Sequence, residues 1–185
     1  YSLADRTDDA IAAGRSAVQL LPKNPMGYTN LCRAYNDAKK PEMAISTCNQ
    51  GLRLAPNDGE TLFYLGRAYD EMKNRPEAEK SYRRAVPGLE TFTKTNPDYS
   101  DGFYLLGNAY AEVGQNMKAV EAYSKCLELN PRFARATFNI GIIWIIEKDK
   151  PAAMRQYEAL LISDKSLAEK LKAAGYWTAA SGKWH

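Results

Sequence analysis

The sequence predicts an all-α fold, a linear array of antiparallel helix pairs, and three registered columns of residues carry that expectation. Tyr35, Tyr69, Tyr110 and Trp144 hold one position, and Tyr1 reaches back to the same place. Ala10, Ala44, Ala78, Ala119 and Ala153 hold a second, while Pro22, Pro56, Pro97 and Pro131 close successive units. Every step is 34 residues except those from Tyr69 to Tyr110, from Ala78 to Ala119 and from Pro56 to Pro97, which are 41. A fixed period of this length marks a stacked repeat architecture.

A fourth column explains how each unit is built. Leu31, Leu65, Leu106 and Ile140 are followed by Cys32, Gly66, Gly107 and Gly141. Small residues at a helix crossing let two backbones approach, and large apolar residues fill the space on either side. The proline follows the second helix of each unit, where it cannot continue the hydrogen bonding and so ends it. One pair cannot bury its apolar face alone, so successive pairs stack.

The stretch Gly102–Pro131, G-F-Y-L-L-G-N-A-Y-A-E-V-G-Q-N-M-K-A-V-E-A-Y-S-K-C-L-E-L-N-P, shows the pattern most fully. With Leu106-Gly107, Tyr110, Ala119, Tyr123 and Pro131 at these spacings, it resembles a tetratricopeptide repeat. The resemblance implies a right-handed α-solenoid, a concave groove lined by the first helix of each unit, and a capping helix after the last repeat. It places a solenoid over residues 1–175, with an aromatic tail at 176–185. The units are a partial one at 1–24, then 25–58, 59–99 with a seven-residue insertion, 100–133 and 134–167, closed by a capping helix at about 166–174.

Taken in order, residues 1–24 supply the end of one helix and the whole of a second. Thr7 or Asp8 caps that second helix, which carries Ala10, Ile11, Ala17, Val18 and Leu21. A half-helix exposes a face meant for a neighbour, and the chain is expected to continue upstream of Tyr1. The second unit pairs a helix around Tyr28–Ala38 with one over Pro41–Leu54. Pro41, like Pro76 and Pro151 later, sits just inside its helix, where a missing N–H does no harm. Cys32 and Cys48 fall on facing sides of this pair. Two buried thiols acting as packing residues is the reading the sequence favours; a disulfide, with the oxidising compartment it implies, is the alternative.

The third unit has a regular first helix, Glu60–Met72, and a second that starts at Pro76. Its seven extra residues amount to about two helical turns, so Leu89 and Phe92 extend the apolar stripe. Pro87-Gly88 argues instead for a kink or break. The insertion is either tolerated at an exposed edge or a feature projecting towards a partner. The fourth unit is the most regular. In the fifth, F-N-I-G-I-I-W-I-I is apolar nearly all round and must be covered on both sides. Leu167, Ala168 and Leu171, on the segment 166–174, supply one cover. Beyond Gly175, a helix stop, Tyr176, Trp177 and Trp184 either fold back on the fifth unit or form an interface with something else.

Composition narrows the chemistry. A net charge of +3 spread along 185 residues lacks the clustered Lys and Arg of a nucleic-acid surface. No run approaches the length needed to span a membrane. Three cysteines form no C-x-x-C pair and the single histidine is His185, so no zinc site is expected. Without a Ser–His–Asp or Cys–His set or a phosphate-binding loop, no enzyme activity and no cofactor are expected. Cytoplasmic and bacterial periplasmic locations both stay open.

Protein binding is the function the resemblance implies. The groove residues it picks out are Asn30 and Arg33 from the second unit, and Phe63, Tyr64 and Arg67 from the third. Tyr104 and Asn108 follow from the fourth, then Phe138 and Asn139 from the fifth. Aromatic anchors beside arginine are the residue types that dominate binding hot spots. Phe63, Tyr64, Tyr104 and Phe138 are expected to hold a partner peptide, with Arg33 and Arg67 orienting it. Asn30 matches one asparagine of the carboxylate clamp found in some family members, but Tyr64 stands at the next such place and the lysines are missing. The chain therefore reads as an adaptor or assembly scaffold. The alternatives are a structural subunit buried through its ends and tail, and a docking domain of a longer enzyme.

Overall fold

The computed structural model describes residues 3–174, 177–178 and 183–184. Among them lie ten α-helices: α1 (Leu3–Leu20), α2 (Pro25–Asp37), α3 (Pro41–Leu54), α4 (Gly59–Glu71), α5 (Arg75–Thr95), α6 (Ser100–Glu112), α7 (Asn116–Leu129), α8 (Ala134–Ile146), α9 (Lys150–Ser163) and α10 (Lys165–Ala174). The architecture is the all-α array of helix pairs that the columns require. The repeat register reads as one array over 1–175, but the chain gathers into two compact units, residues 1–94 and 95–185.

The turns explain the aromatic column. Lys39, Lys73, Gly114 and Lys148, themselves one repeat apart, follow α2, α4, α6 and α8 in the left-handed conformation, with φ of 56°, 59°, 75° and 59°. The next amide in each case donates to the carbonyl of Tyr35, Tyr69, Tyr110 or Trp144 at 2.8–2.9 Å. This closes the helix end with the paired bonds of a Schellman motif. Helix starts are set by side chains: Asn24 accepts from the Met26 amide, Asp58 from Thr61, Asp149 from Ala152 and Asp164 from Leu167.

In the first unit α1 runs unbroken through Thr7 and Asp8, which therefore cap nothing. Neither Pro nor Gly stands between Leu3 and Ala13, so continuing the backbone bonds wins over starting a new helix at Thr7 or Asp8. Ala44 and Ala78 are fully buried, whereas Ala10 of the same column is exposed. Gly66 on α4 is covered by the Tyr82 ring of α5, where a Cβ would come within 2.5 Å of Cε1. At the equivalent crossing of α2 and α3, Cys32 and Cys48 are joined in a disulfide rather than left as the two thiols the sequence favours.

The insertion is helical. α5 continues through Pro87 with no break at Pro87-Gly88. Proline leaves the Arg83 carbonyl without its helical donor, a cost that tertiary packing offsets. That packing is backbone on backbone: a Cβ on Gly59 would lie 2.5 Å from the Leu89 amide, and one on Gly88 would lie 2.5 Å from the Asn57 carbonyl. The buried stripe runs Ala85, Leu89, Thr93 at four-residue steps. Phe92 falls one position off this stripe and is 39% exposed, so it does not extend the core as expected.

In the second unit the Tyr123 ring of α7 covers Gly107 of α6, repeating the Gly66–Tyr82 contact. The α8 pair differs. Gly141 is covered by Leu171 of α10, not by Tyr157 of α9. Leu160, Ala168 and Leu171 form a core cluster against which Phe138, Ile142 and Ile145 pack. One side of α8 thus receives the cover that its sequence demands on both. The backbones at Trp177 and Trp184 pair in a short antiparallel ribbon; Tyr176 lies outside the described residues. Among these, no helix is long and apolar enough to cross a membrane.

Candidate functional site

Each unit presents its own candidate face. In the first, Asn30 and Arg33 stand exposed on α2, and Arg67 is half-buried on α4. Phe63 and Tyr64 are only 5% and 7% exposed, so they do not offer the free anchors expected of them. The reason is that α4 is buried over the whole run Thr61–Gly66. Phe63 packs against Tyr82 and Tyr64, with ring centroids 5.5 and 5.8 Å apart.

Tyr64 is the hub beneath this face. Burial pushes its phenol up to about 12 and nearby Glu60 adds to that, while Arg33 and Arg67 pull the other way. Arg67 lies over the ring at 5.9 Å, and Arg33 interacts with the hydroxyl. Burial lowers the Arg33 pKa, but Tyr64, Glu60 and Asp37 outweigh it and the net shift is upward. Two guanidinium groups therefore flank one buried phenol. Arg67 also pairs with Asp37 at 3.5 Å; both groups are over a third exposed, and such a pair contributes little. Behind this face, buried Asn36 donates to the carbonyls of Cys32 and Tyr64 at 3.1 and 3.0 Å, tying α2 to α4.

The face of the second unit combines amides and aromatics. Tyr104 is half-buried, its ring 4.8 Å from that of Phe133 and 5.8 Å from that of Tyr123. One turn along α6, the Asn108 Oδ1 accepts from the Tyr123 hydroxyl at 2.7 Å and from Asn139 Nδ2 at 3.0 Å. Asn139 Nδ2 also donates to the Tyr123 oxygen at 3.1 Å. The triangle locks both amides. Among the described residues, Asn108 Nδ2 and Asn139 Oδ1 have no partner, leaving one donor and one acceptor. Phe138 is half-buried, with part of its side chain packed against the cluster that seats α10.

Of the residues that the sequence singles out, the structure brings Asn108 to Asn139, and separately Arg33 and Arg67 to Tyr64. Sequence reasoning missed Phe133, which precedes α8 in what reads as a loop, and the role of the Tyr123 hydroxyl, since a repeat-column tyrosine reads as packing. Among the described residues no group of His, Cys, Asp and Glu could hold a metal ion.

A tetratricopeptide repeat model matches residues 100–133, and a second model of the same description matches residues 60–86. The chain is a tetratricopeptide repeat protein. It is 27% identical over 192 residues to tetratricopeptide repeat protein 1 of Schizosaccharomyces pombe, a match covering 97% of this chain and 18% of that protein. It is 32% identical over 108 residues to the photosystem I assembly protein Ycf3 of Rippkaea orientalis, covering 56% of this chain and 58% of that one. Among solved structures it is similar to one titled as the APC/C hetero-tetramer Cut9–Hcn1, with a TM-score of 0.69, 21% identity, and 93% and 34% of the two chains covered. At that identity the likeness speaks for the fold. The repeat protein spans roughly a fifth or less of the length of the first curated relatives it matches.

Proposed function

We propose that this repeat protein is a non-catalytic scaffold whose α2–α4 face and α6–α8 face each bind a segment of another protein. The observation carrying this reading is the Asn108–Asn139–Tyr123 triangle. It ties two half-buried amides together and leaves the Asn108 amide nitrogen and the Asn139 amide oxygen for a ligand, the complement of a peptide group's C=O and N–H. The Tyr104 and Phe133 rings, in contact at a tilt of 35°, lie beside it as an apolar contact. In the first unit, Arg33 and Arg67 around Tyr64 suit an acidic side chain of a segment bound there, since a guanidinium fork matches a carboxylate. The likeness to an assembly protein supports the scaffold role.

Peptides selected from a display library on the wild-type protein provide the test, with affinities read by calorimetry. Asn108→Ala/Asn139→Ala and Arg33→Ala/Arg67→Ala are each expected to weaken binding by at least about tenfold, the loss that one or two charged or neutral hydrogen bonds bring. Peptides that bind both variants as well as wild type would remove both faces from consideration.

A second reading is a structural subunit of a larger complex. Its support is exposed apolar surface on α8 and α9, where Ile146 is 60% and Ile162 92% exposed. Under this reading, Ile146→Lys and Ile162→Lys would release the protein from its complex while the face variants stay bound.

A further inference from the structure

The crossing of α2 and α3 differs chemically from the crossings that follow it. In α4–α5 and α6–α7 a glycine on the first helix is covered by a tyrosine ring from the second, Gly66 by Tyr82 and Gly107 by Tyr123. One repeat earlier those two positions are Cys32 and Cys48, which the disulfide joins across a sequence separation of 16. Both cysteines are 0% exposed.

A second observation marks the same exchange. The Tyr82 hydroxyl donates to Asp70 Oδ2 at 2.7 Å. One repeat before Asp70 stands Asn36, whose Oδ1 is the buried side-chain polar atom that has no hydrogen-bond partner among the described residues. The acceptor is in place, and the hydroxyl that would use it is gone.

We infer that the Cys32–Cys48 disulfide is a permanent staple standing in for the glycine–tyrosine pair, and that this chain completes its fold in an oxidising environment. Forming the bond removes two protons and two electrons from the two thiols. A thiol–disulfide exchange oxidant accepts them, and its own disulfide leaves as a dithiol. Once helices α2 and α3 close, no sulfur is open to attack by a thiolate, so the bond is shielded while the protein stays folded. A crosslink closing a loop of about this size restrains the unfolded chain by on the order of a hundredfold in the unfolding equilibrium.

Three measurements decide the matter. Protein isolated without reductant from the cells that make it, then alkylated in denaturant and digested, should yield Cys32 and Cys48 peptides still joined and Cys126 alkylated. Free Cys32 and Cys48 would overturn the inference. In native buffer with dithiothreitol the bond should persist and then break on adding urea, whereas prompt reduction of the folded protein refutes permanence. Finally, Cys32→Ser/Cys48→Ser should raise the unfolding constant on the order of a hundredfold. Cys32→Gly/Cys48→Tyr should recover at least tenfold of that loss, because its ring refills the crossing and its hydroxyl reaches Asn36. A glycine–tyrosine chain no more stable than the serine pair would refute the stand-in. If the serine pair does not fold, wild type unfolded and refolded in reductant takes its place as the reference.

Discussion

Replacing Tyr123 by Phe removes a single oxygen from beneath the second unit's candidate face. The ring is 1% exposed and seated over Gly107, so the phenylalanine keeps the packing. Two hydrogen bonds are lost, at 2.7 Å to Asn108 and 3.1 Å from Asn139, but the two amides still meet each other at 3.0 Å and neither is orphaned. At about 0.5–1.5 kcal/mol per neutral bond, partly compensated, Tyr123→Phe should destabilise the protein by about 1.5 kcal/mol. Asn108→Ala acts differently, because it leaves the buried hydroxyl with no acceptor and should cost about 2–3 kcal/mol. The double variant has no hydroxyl to strand, so the two losses should fall short of additive by about 1 kcal/mol. Urea unfolding of the four proteins, read as midpoint shifts at constant slope, measures this cycle. Peptide affinity should fall in Tyr123→Phe as well, since the amides are then free to turn. A Tyr123→Phe protein within about 0.3 kcal/mol of wild type, or a strictly additive cycle, would refute the view that the hydroxyl holds the amides.

Further outcomes follow from other contacts. Lys148→Gly should stabilise the protein by about 0.5–1 kcal/mol in thermal unfolding, because a left-handed φ of 59° penalises any side chain; Gly114→Ala, with nothing within 4 Å of the added Cβ, should lose a similar amount through backbone strain alone. Gly59→Ala should cost about 2–3 kcal/mol, since the new methyl meets the backbone of α5, while Gly141→Ala should cost about 1 kcal/mol because it meets only the side chain of Leu171; equal losses would contradict this contrast. Alkaline unfolding checks the buried acids. Burial pushes the Cys126 thiol up to about 11 and the Tyr64 phenol up to about 12, so the unfolded chain releases these protons first. Their contribution is whole below pH about 9 and is lost as pH rises to about 11–12, and Cys126→Ala should flatten the lower part of that decline.

The sequence carried the helix pairs because the repeat imposes the same physical demand in every unit. Tyr35, Tyr69, Tyr110 and Trp144 mark the last turn of the first helix, and a backbone that must reverse there leaves its trace at a fixed spacing. The continuity of α5 was less legible. Pro87 and Gly88 each weaken a helix locally, and only the contact of Gly59 with the α5 backbone shows why the helix persists. Nor could spacing show which redox state Cys32 and Cys48 adopt.

Two of the candidate anchors, Phe63 and Tyr64, are buried for a reason that the register cannot encode. A column assigns a residue to the inner side of a helix, but it does not say how much of that side its neighbours cover. Phe63 and Phe138 occupy groove-facing positions by count, yet Tyr82 covers one and part of the other packs against the cluster under α10. Asn108 and Asn139 stay at the surface for the opposite reason. Each has an amide with more hydrogen-bonding capacity than the Tyr123 hydroxyl can satisfy, and burying the remainder would strand a donor and an acceptor. In this protein the polar positions that the repeat points to are therefore the ones that stay accessible. Aromatic residues are drawn inward wherever a neighbour can receive them, and half-satisfied amides are held at the boundary with water.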